Sequence, residues 1–317
     1  MRTFLSFIME LQDTEKAASL SAHNKNFGEA YETATVLHIH NNTAAKNNSD
    51  SKYQSKIEEV KKKHEASMAA LPDHLKKRAE EAATHSGTAY IKSLKDNHNK
   101  SPEDIHEVHH THGGIDEHVG KKVNRAMNPH DLIVKGKNGF THGASLKATS
   151  GTASNNPVAA FDRNSGLNTN LSHIWKKGAE TAGVGSKSTK ERKEVRHQPE
   201  IKEANKKVQA EAAQHHADTF NNASHDQKKE HLHFLLKSKP DLPYDYVKGE
   251  KGGSATPHHE LPHIKAINSS KELKATVHNN VVKIHDEKGN HIASIEHRPS
   301  HGSFVSPQAN AKFGNMK

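Results

Sequence analysis

Asn128-Pro-His-Asp-Leu-Ile-Val-Lys-Gly-Lys-Asn-Gly-Phe-Thr-His-Gly-Ala-Ser-Leu-Lys147 is the run from which the architecture of the chain follows. Asn138-Gly139 is a turn signal with apolar-rich segments on both sides, which predicts a β-hairpin. A three-residue loop, Lys137 to Gly139, with Gly139 left-handed, pairs Gly136 with Phe140 and sets Asp131 opposite Ser145. Side chains alternate between faces along a strand, so Asp131, Ser145 and Lys147 then share one face. Leu132, Val134, Ala144, Leu146 and Ala148 share the other. A two-residue loop would set Asp131 opposite Leu146 and mix the faces, and is rejected on that ground. One register thus yields an apolar face and a cluster of carboxylate, hydroxyl and amine.

Composition bounds what such a hairpin serves. Of 317 residues, 32% are hydrophobic and 5% aromatic, which predicts a modest core among long polar helices and connections. The net charge of +9 suits a polyanionic partner. Cysteine is absent, which excludes disulfides and thiolate metal sites. No run of about 18 apolar residues occurs, so no membrane-spanning helix is expected. The 29 histidines are read as a compositional habit, although protonating some of them below about pH 6.5 would add positive charge.

Upstream of the hairpin, Phe27 to Ile39 carries apolar residues at helical spacing, with Glu29 and Glu32 among them. Tyr53 to Leu71 and Asp73 to about Asn97 read as a helical pair with a thin apolar stripe, part of an arm over about 53–111 that covers the sheet. Ser101-Pro-Glu-Asp104 starts a short helix. His109, His110 and His112 follow; three close imidazoles suit zinc, phosphate or water activation, yet no fourth ligand is spaced for a structural zinc site, and chance clustering is the leading reading. Asp116 and Glu117 are further acids before the hairpin.

Downstream, Thr149 to Pro157 reads as a polar loop. Thr149, Ser150, Thr152, Asn155 and Asn156 are either nucleic-acid backbone contacts or an ordinary connection. Leu171 to Ala182 is expected to be helical with Trp175 in the core, and Gly183 to Lys190 to be a linker. Pro199 to Asn221 reads as a helix, and Ser224-His-Asp-Gln227 as the capping box of the next. A second β region is expected from Leu261, with a hairpin of Val281–His285 and His291–His297. The tail from Arg298 to Lys317 reads as basic loop, with Arg298 a further nucleic-acid contact.

Pro129-x-Asp131, a turn and Ser145-x-Lys147 together resemble the core of the PD-(D/E)xK nucleases, the restriction-endonuclease-like superfamily. The resemblance covers the central hairpin. It implies an α/β (mixed α+β) fold, with a small central mixed sheet of hairpins flanked by several helices. Residues 21–317 would form a single domain, with the helical arm at about 53–111 and a C-terminal β-hairpin and basic tail at about 261–317. In that family the Asp binds a divalent metal, the acidic residue of the second strand binds it too, and the Lys stands by the attacking water. Carried over, Asp131 holds Mg2+ (or Mn2+) and Lys147 orients or deprotonates the water that hydrolyses a DNA phosphodiester. Ser145 stands where the family pattern has the acid, and a Ser-Leu-Lys version of the motif belongs to the superfamily. Family members often open with a helix bearing a Glu that reaches the metal; Glu32 is the candidate and Glu29 the second choice.

Phe4-Leu-Ser-Phe7-Ile8-Met-Glu10 is similar to the head-targeting leader of internal proteins from large contractile-tailed phages, with Ile8-x-Glu10 like a prohead-protease site. Otherwise residues 1–20 are a frayed N-terminal helix. The leader implies a phage virion head or the host cytoplasm as location, with DNA, head components or the prohead protease as partners; a homodimer is left open. The principal reading is a Mg2+-dependent endonuclease. The alternative is a non-catalytic basic DNA-binding or head-internal structural protein, and a third reading is a nuclease built on His109, His110 and His112.

Overall fold

A computed structural model describes residues 24–111, 128–148, 154–237, 240–250, 252–299 and 302–313. In chain order the helices are α1 (24–41), α2 (Ser51–Ala69), α3 (Asp73–His98), α4 (Val158–Asn164), α5 (Leu171–Thr181), α6 (Thr189–Val195), α7 (Pro199–Asn222), α8 (His225–Leu236) and α9 (Pro262–Ser269). The strands are β1 (Ile105–His110), β2 (Leu132–Gly136), β3 (Thr141–Lys147), β4 (Ser154–Pro157), β5 (Tyr244–Lys248), β6 (Ser254–Pro257), β7 (Leu273–His278), β8 (Val281–Asp286), β9 (His291–Pro299) and β10 (Pro307–Phe313). The class is mixed α+β, as expected. Contacts divide the chain into two compact units, Met1–Gly151 with Pro240–His258 and Thr152–Lys239 with His259–Lys317. The sequence reading groups residues 21–317 in one body; each unit instead has its own five-stranded sheet.

The first unit's sheet runs β1-β2-β3-β5-β6. Only β3 and β5 are parallel; the other pairs are antiparallel. A parallel pair cannot be joined by a tight turn, and here the connection contains residues 152–239 of the second unit. Helix α2 starts where Asp50 accepts from Tyr53 N at 2.8 Å. Helix α3 ends on Asn99, whose φ of 52° is a left-handed stop. The two are more than an arm: Tyr53, Ile57, Val60, Tyr90 and Leu94 are buried in one core with Ala30, Val36 and Ile39 of α1 and Leu132, Val134, Ala144 and Leu146 of the hairpin. Small residues on α3 let α1 approach closely. A Cβ on Gly87 would run into the His38 ring, and Tyr31 Oη lies 2.6 Å from Ser86 Oγ.

Two local expectations give way in this unit. Within the supposed arm, Pro102–Asp104 forms a single 3-10 turn under a Ser101–Asp104 capping box, and the chain then extends as β1 rather than a helix. Strands β5 and β6 are absent from the sequence reading altogether.

The second unit's sheet runs β4-β10-β9-β8-β7, antiparallel throughout. Helix α7 lies along β7, β8 and β9, burying Val208, Ala212 and Phe220 with Val282, Ile284 and Ile295. Trp175 is buried, as expected. Three segments differ from the sequence reading. Residues 154–157 form a strand rather than a loop, because β10 pairs with them. The tail is not loop: β9 runs to Pro299 and β10 pairs along it. Pro262 opens helix α9 where a strand is expected, and Ile264 and Ile267 bury at helical spacing.

Candidate functional site

The hairpin adopts the three-residue loop. Gly139 has φ +73°, and Gly136 N donates to Phe140 O at 2.8 Å. Leu132 pairs with Ala144 and Val134 with His142, so the apolar face is the one read from the sequence. Asp131 lies one residue beyond the paired ladder. Its N–H donates to Ala144 O at 2.8 Å, and its carboxylate accepts from Leu146 N at 2.6 Å. The carboxylate thereby ties the start of β2 to the end of β3. Lys147 Nζ stands 3.5 Å from Asp131 Oδ2 and donates to Ser145 Oγ at 3.2 Å. Asp131, Ser145 and Lys147 therefore meet.

Glu32 belongs to the same electrostatic neighbourhood. Burial raises the Asp131 carboxyl above the usual carboxylate range; Lys147 opposes this, and the charge of Glu32 adds to it. The Tyr31 hydroxyl is raised by burial, against its hydrogen bond to Ser86, and further by Asp131 and Glu32. Tyr246 is raised by burial and then by Asp131. Glu32 Oε2 lies 3.1 Å from His110 Nε2. Glu29, the second choice, lies one helical turn before Thr33, whose hydroxyl donates to its backbone carbonyl.

A second cluster, missed in the sequence, joins α3, β3 and β5. His98, His142 and Asp245 present ligand atoms within 4.8 Å of one another and could hold a metal ion. Asp245 is fully buried; its Oδ1 is 3.0 Å from His98 Nε2 and 3.6 Å from His142 Nε2. Ser93 Oγ donates to its Oδ2 at 2.5 Å, and Asn97 Nδ2 donates to Ser93 Oγ at 2.8 Å. Burial, then the neighbouring His98, His130 and His258, push His142 down to about 3. The three ligands lie far apart in the chain, and only the docking of β5 beside β3 assembles them. The one available signal is Asp245 within Tyr244-Asp-Tyr-Val247, since a carboxylate in a strand-like apolar segment demands partners.

The second unit holds a row of buried imidazoles. His231 Nδ1 donates to Ser165 O at 3.0 Å, because a carbonyl only accepts. His231 Nε2 then accepts from His216 Nε2 at 3.0 Å, and His216 Nδ1 accepts from His297 Nε2 at 3.0 Å. This order leaves His297 Nδ1 as a bare lone pair, and that buried atom has no hydrogen-bond partner. Burial and the neighbouring rings hold His297 down at about 3 and His216 well below the usual range, while burial alone, against the Ser165 bond, takes His231 to about 4.

Of the remaining candidates, His110 reaches the first cluster through Glu32, and the others gather at neither. His109 Nε2 pairs with Glu107 at 2.7 Å and His110 with Glu32, on neighbouring positions of β1. Asn155 and Asn156 lie on β4 in the second unit, paired with Asn310 and Ala309 rather than in a loop following Lys147. Arg298 lies on β9 of the same unit, with Nε 3.6 Å from Glu296. Thr149, Ser150, Thr152, His112, Asp116, Glu117 and the leader at residues 1–20 fall outside the described residues. No helix among the described residues is long and apolar enough to cross a membrane. No known protein family, characterised protein or solved structure matches the chain.

Proposed function

We propose that this chain is a Mg2+- or Mn2+-dependent endonuclease that hydrolyses DNA phosphodiesters at Asp131, Glu32 and Lys147. The observation that carries the reading is an ammonium 3.5 Å from a half-buried carboxylate that burial, and then the charge of Glu32, push towards its protonated form. That donor set fits a hard cation: two acidic side chains supply oxygen ligands, and a cation between them would relieve their repulsion. When bound, the ion supplies Lewis acidity at the scissile phosphate. Asp131 and Glu32 would hold it, and Leu146 N fixes one Asp131 oxygen. Lys147 orients the attacking water and offsets the negative charge that develops on the phosphate. Ser145 accepts a hydrogen bond from the Lys147 ammonium and so aims it, but brings no charge. The water oxygen bonds to phosphorus as it gives up a proton to solvent, the bond to the departing sugar oxygen breaks, and that oxygen takes a proton from solvent.

Supercoiled plasmid incubated with the full chain and Mg2+ is expected to be nicked, and EDTA to stop the reaction. Asp131→Ala and Lys147→Ala should each slow it by about 10²-fold or more. Cleavage that survives both substitutions overturns this reading. A second reading, a basic DNA-binding structural protein, is favoured by the neutral Ser145 at the acidic position and by the net charge of +9. It predicts no cleavage, with DNA affinity that falls steeply as salt rises.

A further inference from the structure

We propose that His98, His142 and Asp245 form a zinc site, separate from the Asp131–Glu32 pair, that ties α3 to the parallel pair β3–β5. The inference is independent of the nuclease reading and shares no ligand with it.

The first argument is geometric. Zinc bound to imidazole nitrogen and carboxylate oxygen at about 2.0–2.1 Å in a tetrahedron sets neighbouring donor atoms about 3.3 Å apart. The two separations from Asp245 Oδ1, 3.0 Å to His98 Nε2 and 3.6 Å to His142 Nε2, bracket that value. Three protein ligands leave a fourth position for water, on a site that His98, with 17% of its side chain exposed, opens to solvent.

The second argument is an orphaned atom. Tyr90 Oη has one proton and three acceptors in reach, the carbonyls of Gly143 and His142 at 3.0 and 3.3 Å and His142 Nδ1 at 3.0 Å. With that proton on a carbonyl, the hydroxyl accepts from His142 Nδ1. The neutral ring then carries its proton on Nδ1 and presents Nε2 as a lone pair, the form that binds a metal. That Nε2 is buried, has no hydrogen-bond partner and faces the Asp245 carboxylate. Two acceptors facing each other in a buried site repel unless a cation lies between them. The His98 contact uses the same oxygen but leaves His142 Nε2 unsatisfied.

The surroundings are those of a ligand set held in place. Tyr90 fixes the His142 ring, and Ser93, itself held by Asn97, occupies the other oxygen of Asp245. His142 alternates with Ser145 and Lys147 along β3, and Asp245 registers with Ala144, so His142 and Asp245 lie on the sheet face opposite Ser145 and Lys147. Imidazole donors select zinc over magnesium. The two centres therefore differ in metal class as well as in place.

The test uses the full chain, stripped with a strong chelator and titrated with ZnCl2 while thermal unfolding is followed. Binding of one equivalent with a rise in Tm is expected. Co2+ in place of Zn2+ should give the visible absorption of a four-coordinate nitrogen–oxygen site. His142→Ala should lower Zn2+ affinity by more than about 100-fold, and Tyr90→Phe, which leaves every ligand in place, by about 10–100-fold. Asp131→Ala should leave the Co2+ spectrum unchanged. If His142→Ala fails to fold, Tyr90→Phe and the more exposed His98→Ala decide the matter in its place. Absence of Zn2+ binding and of a Co2+ spectrum overturns the proposal. So does binding that survives His98→Ala and Asp245→Asn, or binding that Asp131→Ala abolishes, since each puts the ion elsewhere.

Discussion

Ser145 is the residue at which the hairpin departs from a two-acid strand pattern. Its hydroxyl accepts from Lys147, and its side chain is buried. An acid there would stand beside Lys147 and close to Asp131. Ser145→Asp is accordingly expected to tighten Mg2+ binding by about tenfold or more, read by calorimetry on the full chain. An unchanged or weaker affinity would mean that Asp131 is not where the ion sits. At this scale the sequence is informative in one place and silent in another. Asp131, Ser145 and Lys147 are legible together because a glycine with positive φ fixes the register and the register fixes the faces. His98, His142 and Asp245 are not, since nothing local relates a helix end, a strand start and a later strand. In a chain with 29 histidines, two more draw no attention until a carboxylate is buried between them.

Among elements, long helices are readable and short strands are not. Helices α2, α3 and α7 show their apolar stripes over many turns, so their limits emerge within a residue or two of the expectation. Strand β1 hides because Ile105-His-Glu-Val-His-His110 offers few apolar residues, and its burial depends on α2 and β2. Strand β10 hides because its inward residues are the small Ala309 and Ala311, while Pro299, Gly302 and Pro307 punctuate the approach to it. A cap, by contrast, is a local and testable statement. Ser224 Oγ accepts from Gln227 N at 3.3 Å, and Gln227 Oε1 accepts in return from Ser224 N at 2.9 Å. Ser224→Ala should lower stability by about 0.5–2 kcal/mol in chemical denaturation. A loss smaller than that range would show that tertiary packing alone sets the start of α8.

For the whole molecule, the buried imidazole row sets a pH dependence. His216, His231 and His297 have folded pKa values below the unfolded value of about 6.5. They are neutral when folded, so below pH 6.5 the unfolded chain binds protons that the fold excludes. Their contribution is complete above that pH and is lost as pH falls towards about 4, where His231 begins to protonate in place. Each such group adds a slope of about 1.4 kcal/mol per pH unit inside the window. Urea midpoints should therefore drop between pH 7 and pH 5. A flat profile there would show that the row is already open to solvent.

The alternation of the chain between its two units also orders events on the ribosome. Strand β3 emerges long before β5, with all of residues 152–239 made in between. At typical synthesis rates that interval is on the order of ten seconds. Throughout it the nascent hairpin carries an open backbone edge along Thr141–Lys147, a template for stray pairing with other chains. The earlier half of the second unit cannot be discarded without consequence for the first, because it is the tether that delivers Tyr244–Lys248 to its place. A ribosome stalled at residue 239 would hold two incomplete bodies, and one released after residue 258 would have supplied every strand of the first sheet and only one strand of the second.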